Sequence, residues 1–228
     1  MSKTHLIIVA AGSGSRFGSP LPKQFCELAG RPVVMHAIDA LQRAIANASC
    51  AIVLAPDRVE YWHTLCEQYH FTSPQVVIGG DTRWQSVKNA LDVAPADTDL
   101  IAIHDGARPL PSQDMILAVI NAFDDPKVQG AVPTIAVTDS LRMICNEGSK
   151  PIDRSLLRAV QTPQAFRADL LRRAYQMPYQ PTFTDDASVM EAAGFTSIAL
   201  PQGSPDNIKI TNPRDIAIAE AILHFSSK

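Results

Sequence analysis

The chain has 228 residues, 46% of them hydrophobic and 19% charged, and a formal net charge of −3. This is the composition of a globular chain long enough to bury a sizeable core, in one large domain or two small ones. The mild negative charge excludes a broad electrostatic surface for nucleic acid or anionic membrane, and no apolar run approaches the ~18 residues of a membrane span.

The first predicted element is a strand, His5 to Ala10, whose unbroken apolar run suits burial on both faces of a parallel sheet. Gly12, Gly14 and Gly18 follow at once, with Arg16 and Lys23 among them. Glycines let the backbone turn sharply and let phosphate oxygens approach main-chain N–H groups. The stretch reads as a phosphate cradle, although an ordinary strand-to-helix turn with two solvated cations has the same composition. The spacing G-x-G-x-x-x-G misses the dinucleotide fingerprint by one residue, and Ser19 stands where a P-loop needs lysine. A NAD-dependent oxidoreductase is therefore disfavoured.

A helix is predicted over 32–44, with Pro32 in its first position, then a strand over Ala51–Ala55 and a helix from Pro56 to about Tyr69. Gln75–Ile78 is a third strand, followed by Gly79-Gly80-Asp81-Thr82-Arg83. The glycine pair permits close approach of a ligand; Asp81 or Thr82 can cap the next helix, placing Arg83 and Ser86 in its first turn. Asp99–Ile103 is a fourth strand and runs into His104-Asp105-Gly106-Ala107-Arg108. Ligand groups gather past the carboxyl ends of parallel strands. Asp105 at such an end is a hard oxygen ligand suited to Mg²⁺ on a nucleoside triphosphate, or else it caps a turn and pairs with Arg108. His104 reads as a structural hydrogen-bonding residue. A helix from Ser112 and a strand over Gln129–Pro133 complete a strand–helix rhythm that argues for a three-layer α/β/α sandwich with a mostly parallel sheet.

The rhythm breaks between Thr134 and Thr162. Thr134–Thr138 and Ser140–Ile144 are strand-like, Asn146–Gly148 is a turn, and Ile152–Val160 can return antiparallel. We read 136–161 as an arm leaving a single domain of 1–228. A two-stranded ribbon is marginal alone in water, so a homodimer joined through the arms is the expected assembly. Asp153 and Arg154 form an exposed ion pair, or Arg154 clamps a substrate phosphate if the arm reaches a neighbour's site. A helix is expected around Ala168–Tyr175, and another that Thr184 caps with Asp185 and Asp186 in its first turn; those acids read as dipole partners before metal ligands. A strand over Thr196–Leu200 and a final helix after Asn212-Pro213 close the chain. Lys209, in the apolar context I-K-I, either snorkels out or points into a polar site. Cys26, Cys50, Cys66 and Cys145 lack metal or redox spacing, Cys50 and Cys66 read as buried thiols, and no convincing signal peptide precedes the first strand. These features fit the cytoplasm.

In order, AAGSGSRFGSPLPKQF, GGDTRWQSV, HDGARP, TPQAF, TDDAS and DNIKIT make the chain closely resemble the 2-C-methyl-D-erythritol 4-phosphate cytidylyltransferase family. Val9, Phe17 and Ser140 depart mildly from its usual pattern, and Ser140 retains a hydroxyl. The resemblance implies a Rossmann-like fold of the nucleotide-diphospho-sugar transferase type and transfer of CMP from CTP to methylerythritol 4-phosphate with release of pyrophosphate. It implies that Ala10, Ala11, Gly12 and Gly14 cradle CTP. Gly80, Asp81 and Ser86 would read cytosine, Ala107 would lie near the ribose, and Asp105 near Mg²⁺. Arg16 and Lys23 would stabilise the transition state, Arg154 (from the partner) and Lys209 would position the acceptor, and Arg108, Ser140 and Thr184 are further substrate contacts. A ribitol 5-phosphate cytidylyltransferase or a catalytically dead nucleotide-binding regulator are the alternatives.

Overall fold

The apolar run after Lys3 becomes the middle of a seven-stranded sheet. In the computed structural model, which describes residues 2–12, 17 and 21–226, β1 (Thr4–Val9) is followed by a 3-10 turn, Lys23–Phe25, and a short hairpin of β2 (Glu27–Leu28) and β3 (Arg31–Pro32). The sequence reading lacks that hairpin; Ala29 and Gly30, both at positive φ (48° and 81°), turn it. Pro32 thereby belongs to a strand and precedes α1 (Val33–Ala44) instead of opening it. Then come β4 (Ser49–Leu54), α2 (Val59–Gln68) after a 3-10 turn at Pro56–Arg58, β5 (Gln75–Ile78), α3 (Arg83–Val93), β6 (Leu100–Asp105) and α4 (Gln113–Asn121).

β1 pairs in parallel with β4 on one side and β6 on the other, with Ile7 opposite Ala51 and Ile103. Its side chains alternate between two cores. Leu6 and Ile8 pack with α1, α2 and α4; Ile7 packs with α3 on the opposite face. All three are fully buried, and each such side chain contributes about 1.5–3 kcal/mol by burial. The helices of the two faces make the outer layers of an α/β/α sandwich. The chain moves outward from β1 to β4 and β5, then crosses back through α3 to β6 on the other side of β1. The strand order therefore reverses at β1, and the crevice past the ends of β1 and β6 is a topological switch point.

Beyond α4 the sheet continues through β7 (Gly130–Ala131), and the chain then leaves it. β8 (Thr134–Ala136) pairs antiparallel with β11 (Arg158–Val160), and β9 (Leu141–Cys145) with β10 (Gly148–Ile152). The excursion is thus two successive two-stranded ribbons, not the single strand pair expected. It returns through β12 (Gln164–Arg167), which inserts antiparallel between β6 and β7. From sequence this stretch reads only as a lead into a helix, and the strand is missed. Its paired neighbours on both sides, not its mixed polarity, make it extended. α5 (Ala168–Ala174), α6 (Asp186–Ala192), β13 (Ile198–Ala199) and α7 (Arg214–Ser226) follow. The order is β13-β7-β12-β6-β1-β4-β5, parallel except for β12. α7 closes on the β2–β3 hairpin through a small cluster of Leu28, Val33, Ile210 and Ala219. No described helix is long and apolar enough to cross a membrane.

Candidate active site at the carboxyl ends of the central strands

A pocket of about 420 Å³ opens at the switch point, lined by the ends of β1 and β6, the start of α3, the Lys23–Phe25 turn and Lys209. Its floor is Asp105, the last residue of β6. Lys209 Nζ lies 2.7 Å from Asp105 Oδ2, Arg108 Nε 3.7 Å from the same oxygen, and Arg83 Nε 3.9 Å from Oδ1. Burial alone would raise the Asp105 carboxyl, but Arg83, Lys209 and Arg108 outweigh it and hold it well below the usual carboxylate range. The group is a carboxylate at any physiological pH. Of the two sequence readings for Lys209, the polar site is the one observed.

The backbone under Asp105 is fixed by buried neighbours. Its N–H donates to Thr162 Oγ1 (3.0 Å), and the Arg108 N–H donates to its carbonyl (2.9 Å), closing a turn. His104 is fully buried, and burial pushes its imidazole down to about 4, so it is neutral. Its Nε2 faces the Arg108 carbonyl at 2.9 Å, which can only accept, so Nε2 carries the proton. Nδ1 then accepts from the Thr162 hydroxyl at 3.1 Å. His104 is thus the structural hydrogen-bonding residue that its strand-end position indicated. Arg108 donates Nη1 to the Asn207 carbonyl at 2.7 Å, which ties the guanidinium to the segment that carries Lys209.

The opposite wall depends on Gly79. A Cβ there would stand 2.5 Å from Ala11 Cβ and 3.0 Å from Ser86 Oγ. Its absence lets the loop after β1 and the first turn of α3 close on one another. Thr82, not Asp81, caps α3, its Oγ1 accepting from Gln85 N at 3.0 Å, and Asp81 is left exposed at the pocket rim. Ser86 is buried, and its Oγ accepts from Gly80 N at 3.1 Å. On the loop side, the Gln24 amide donates to the carbonyls of Ala10 (2.6 Å) and Gly12 (3.0 Å).

Arg83 is held from behind. Its Nη atoms donate to the two carboxylate oxygens of Asp186 at 2.9 and 2.6 Å, and Tyr175 donates to Asp186 Oδ1 at 2.7 Å. Asp186 is fully buried. This corrects the sequence reading of the Thr184 segment. The cap of α6 is Asp185, whose carboxylate accepts from Ser188 N at 2.9 Å while the Ser188 hydroxyl reaches back to Asp185 N. Asp186 sits in the first turn of α6, as expected, and is also the ion-pair partner of Arg83. Thr184 is exposed, one residue outside the cap.

Nine of the expected residues line one pocket: Ala11, Gly12, Lys23, Gly80, Asp81, Ser86, Asp105, Ala107 and Lys209. Ala10 is buried directly behind it. Gly14 and Arg16 lie outside the described residues. Ser140, Arg154 and Thr184 are exposed and do not line this pocket. The Asp153–Arg154 ion pair does not form: Asp153 caps a 3-10 turn by accepting from Ser155 N, and Arg154 donates to the Thr138 carbonyl. Val9, Gln24, Thr82 and Arg83 also line the pocket and have no binding or catalytic role assigned from sequence. For Arg83 and Gln24 a local signal exists, a cation in the first turn of α3 and a buried amide beside a lysine, but their partners are distant in sequence or on the loop backbone.

A crevice lined by glycine loops and charged side chains at a sheet's switch point is the build of α/β proteins that handle nucleoside phosphates, here in its nucleotidyltransferase form. The family model for 2-C-methyl-D-erythritol 4-phosphate cytidylyltransferase (IspD) matches residues 4–225. The enzyme of that name from Porphyromonas gingivalis (strain ATCC 33277) is 44% identical over 223 residues, covering 97% of this chain and 98% of its own; that from Bacteroides thetaiotaomicron is 40% identical over 222 residues, covering 97% and 100%. Among solved structures, 4-diphosphocytidyl-2C-methyl-D-erythritol synthase from Anaerococcus prevotii superposes with a TM-score of 0.82 at 25% identity over 98% of this chain and 96% of its own. The cytidylyltransferase from Thermus thermophilus superposes at 0.74 and 27%, over 98% and 100%. The chain belongs to the 2-C-methyl-D-erythritol 4-phosphate cytidylyltransferase family.

Proposed function

We propose that this chain transfers the cytidylyl group of CTP to 2-C-methyl-D-erythritol 4-phosphate, giving 4-diphosphocytidyl-2-C-methyl-D-erythritol and pyrophosphate, a step of non-mevalonate isoprenoid precursor synthesis. The observation that carries the reading, beside family membership, is the convergence of the Ala11–Gly12 loop, Lys23 and the Asp105–Lys209 pair on one pocket. An acceptor phosphate monoester has a second pKa of about 6 and is largely dianionic at neutral pH. Its oxygen attacks the α-phosphorus of CTP, a P–O bond forms, the bond to the β-phosphate bridge breaks, and pyrophosphate leaves with the electron pair. No general base is required. The protein's part is positioning and charge neutralisation. Ala10, Ala11 and Gly12, with Gly14, offer the triphosphate a backbone cradle. Lys23 and Arg16 neutralise charge building on the phosphates. Gly80, Asp81 and Ser86 read the cytosine, and Ala107 supports the ribose.

Asp105 would hold Mg²⁺. The fit rests on its ionised carboxylate, whose Oδ2 is engaged by Lys209 while Oδ1 makes no hydrogen bond among the described residues. Magnesium commonly takes one or two carboxylates and completes its shell with phosphates and water, and no group of three or more His, Cys, Asp or Glu side chains gathers among the described residues. When bound, the ion supplies Lewis-acid neutralisation of the triphosphate. Lys209 orients the acceptor phosphate.

We assign the assembly as a homodimer built through the arm of 136–161 within a single domain. Ile144 and Leu156, each 82% exposed, support this, because so much apolar surface on a thin ribbon calls for a cover. Across such an interface Arg154 and Ser140 are available to a neighbour's acceptor site, with Arg108 and Thr184 as further contacts. Four unpaired thiols suit a reducing compartment, and we assign the cytoplasm. The test is pyrophosphate release from CTP, Mg²⁺ and methylerythritol 4-phosphate, with UTP and ribitol 5-phosphate in parallel. Release with CTP and methylerythritol 4-phosphate alone is expected. Release with ribitol 5-phosphate instead overturns the acceptor, and CTP binding without any release indicates a regulatory nucleotide-binding protein.

A further inference from the structure

We infer that Gln24 is a positioning residue: its side-chain amide sets the spacing between the cradle backbone and the Lys23 ammonium, so that both engage one triphosphate. The inference rests on the CTP reading of the pocket. Three adjacent residues divide the task. Lys23 lines the pocket. Phe25 is buried in the core edge-on to Tyr61, with ring centroids 5.6 Å apart, and anchors the 3-10 turn that carries all three. Gln24 lies between them, 3% exposed, and its Nε2 reaches two carbonyls of the loop, Ala10 at 2.6 Å and Gly12 at 3.0 Å.

The two carbonyls differ in how firmly they are otherwise held. Ala10 is tied to the sheet by its own N–H, which donates to Val53 O at 2.9 Å. Gly12 is exposed and has open space where a Cβ would stand, and the Gln24 bond is the hydrogen bond that fixes it among the described residues. The clamp therefore joins a rigid point, a loose point and the neighbouring cation. A trans peptide directs its N–H opposite to its carbonyl, so drawing the Ala10 carbonyl onto Gln24 also sets the direction of the Ala11 N–H. Of neutral side chains this long, only glutamine carries two N–H donors on one atom. Glutamate would face two carbonyls with acceptors alone, and methionine would fill the space without a bond.

The experiment uses full-length protein with two variants, Gln24→Met and Gln24→Glu, and two readouts: CTP affinity by calorimetry without acceptor, and kcat with separate KM values for each substrate. Displacing a reacting group by about 1 Å costs on the order of 10²-fold in rate. Gln24→Met is expected to weaken CTP binding at least ten-fold and lower kcat, while the KM for the acceptor stays within two-fold of wild type. Gln24→Glu is expected to bind CTP more weakly still. If Gln24→Met fails to fold, the isosteric Gln24→Glu decides alone by the same split. CTP affinity and kcat within two-fold of wild type in a folded variant overturn the inference, as does an equal loss of both substrates, which marks a merely structural residue. Wild-type protein that binds CTP but turns nothing over refutes the proposed reaction, while the calorimetric comparison still decides the role of Gln24.

Discussion

Under the proposed function, the two lysines in the pocket have distinguishable tasks. Lys23 lines the pocket beside Ala11 and Gly12; with charge building on the transferring phosphates there, as proposed, Lys23→Ala should lower kcat about 10²-fold or more, as removal of one stabilising donor does. Steady-state pyrophosphate release checks this, and near-normal turnover would refute the assignment. Lys209 sits on Asp105 at 2.7 Å. Lys209→Met should raise the acceptor KM well above its effect on CTP affinity, measurable in the same assay. Both lysines are legible in the sequence, one from its glycine-rich loop and the other from its placement between isoleucines. Arg83 is only half legible. Its first-turn position can be read, but its partner Asp186 lies 103 residues away, and no local pattern reports a contact of that range.

At the scale of elements, the strands and helices that announce themselves are those whose burial follows a simple period. β1, β4 and β6 are apolar runs, and α1 repeats apolar residues at helical spacing. β12 cannot be read this way, because Gln164 spends its amide on Asp185 and on Ala187 N, tying the strand to α6. The same logic puts the α6 cap at Asp185 instead of Thr184, since the extended Asp185 backbone directs its carboxylate at Ser188 N. α6 presents Asp186 to Arg83 and Tyr175. Asp186→Ala strands both donors, and buried pairs broken from one side lose about 3–5 kcal/mol. With Arg83 keeping about a third of its side-chain surface in solvent, a loss of about 3 kcal/mol is expected, at the low end of that range, readable as a lower urea midpoint. Thr82→Ala should cost only the ~1 kcal/mol of a lost helix cap, so the two variants separate cap from ion pair in one denaturation series.

For the whole molecule, acid should weaken the fold well before its carboxylates titrate. His104 is neutral in the folded protein, with its imidazole pushed down to about 4, whereas an unfolded chain takes up that proton near 6.5. The unfolded state therefore binds more protons between these values. The stabilising contribution is complete above pH 6.5 and is lost as pH falls toward 4, reaching about 3 kcal/mol for this one group. His5, lowered to about 4 by burial and Arg172, acts in the same window. Asp105 keeps its charge throughout it. Denaturant midpoints at about pH 7, 5.5 and 4.5 should decline in that order, and a flat series would refute the buried-histidine account. At the arm, Leu156→Asp should shift sedimentation from dimer to monomer, and an unchanged profile would remove the arm from the interface.

β7 and β12 pair within the sheet, and β8 and β11 prolong the same antiparallel stem outward, so the chain leaves and re-enters the body at a single closed point. Everything beyond Ala136 and before Arg158 hangs from that stem like the head of a key from its shank. Heads can then be exchanged between related chains without recutting the pocket at the ends of β1 and β6. On the proposed dimer, two such proteins sharing a cell would keep the same chemistry while refusing to pair with each other, and Arg154, the proposed clamp on the acceptor, would have to satisfy both demands at once.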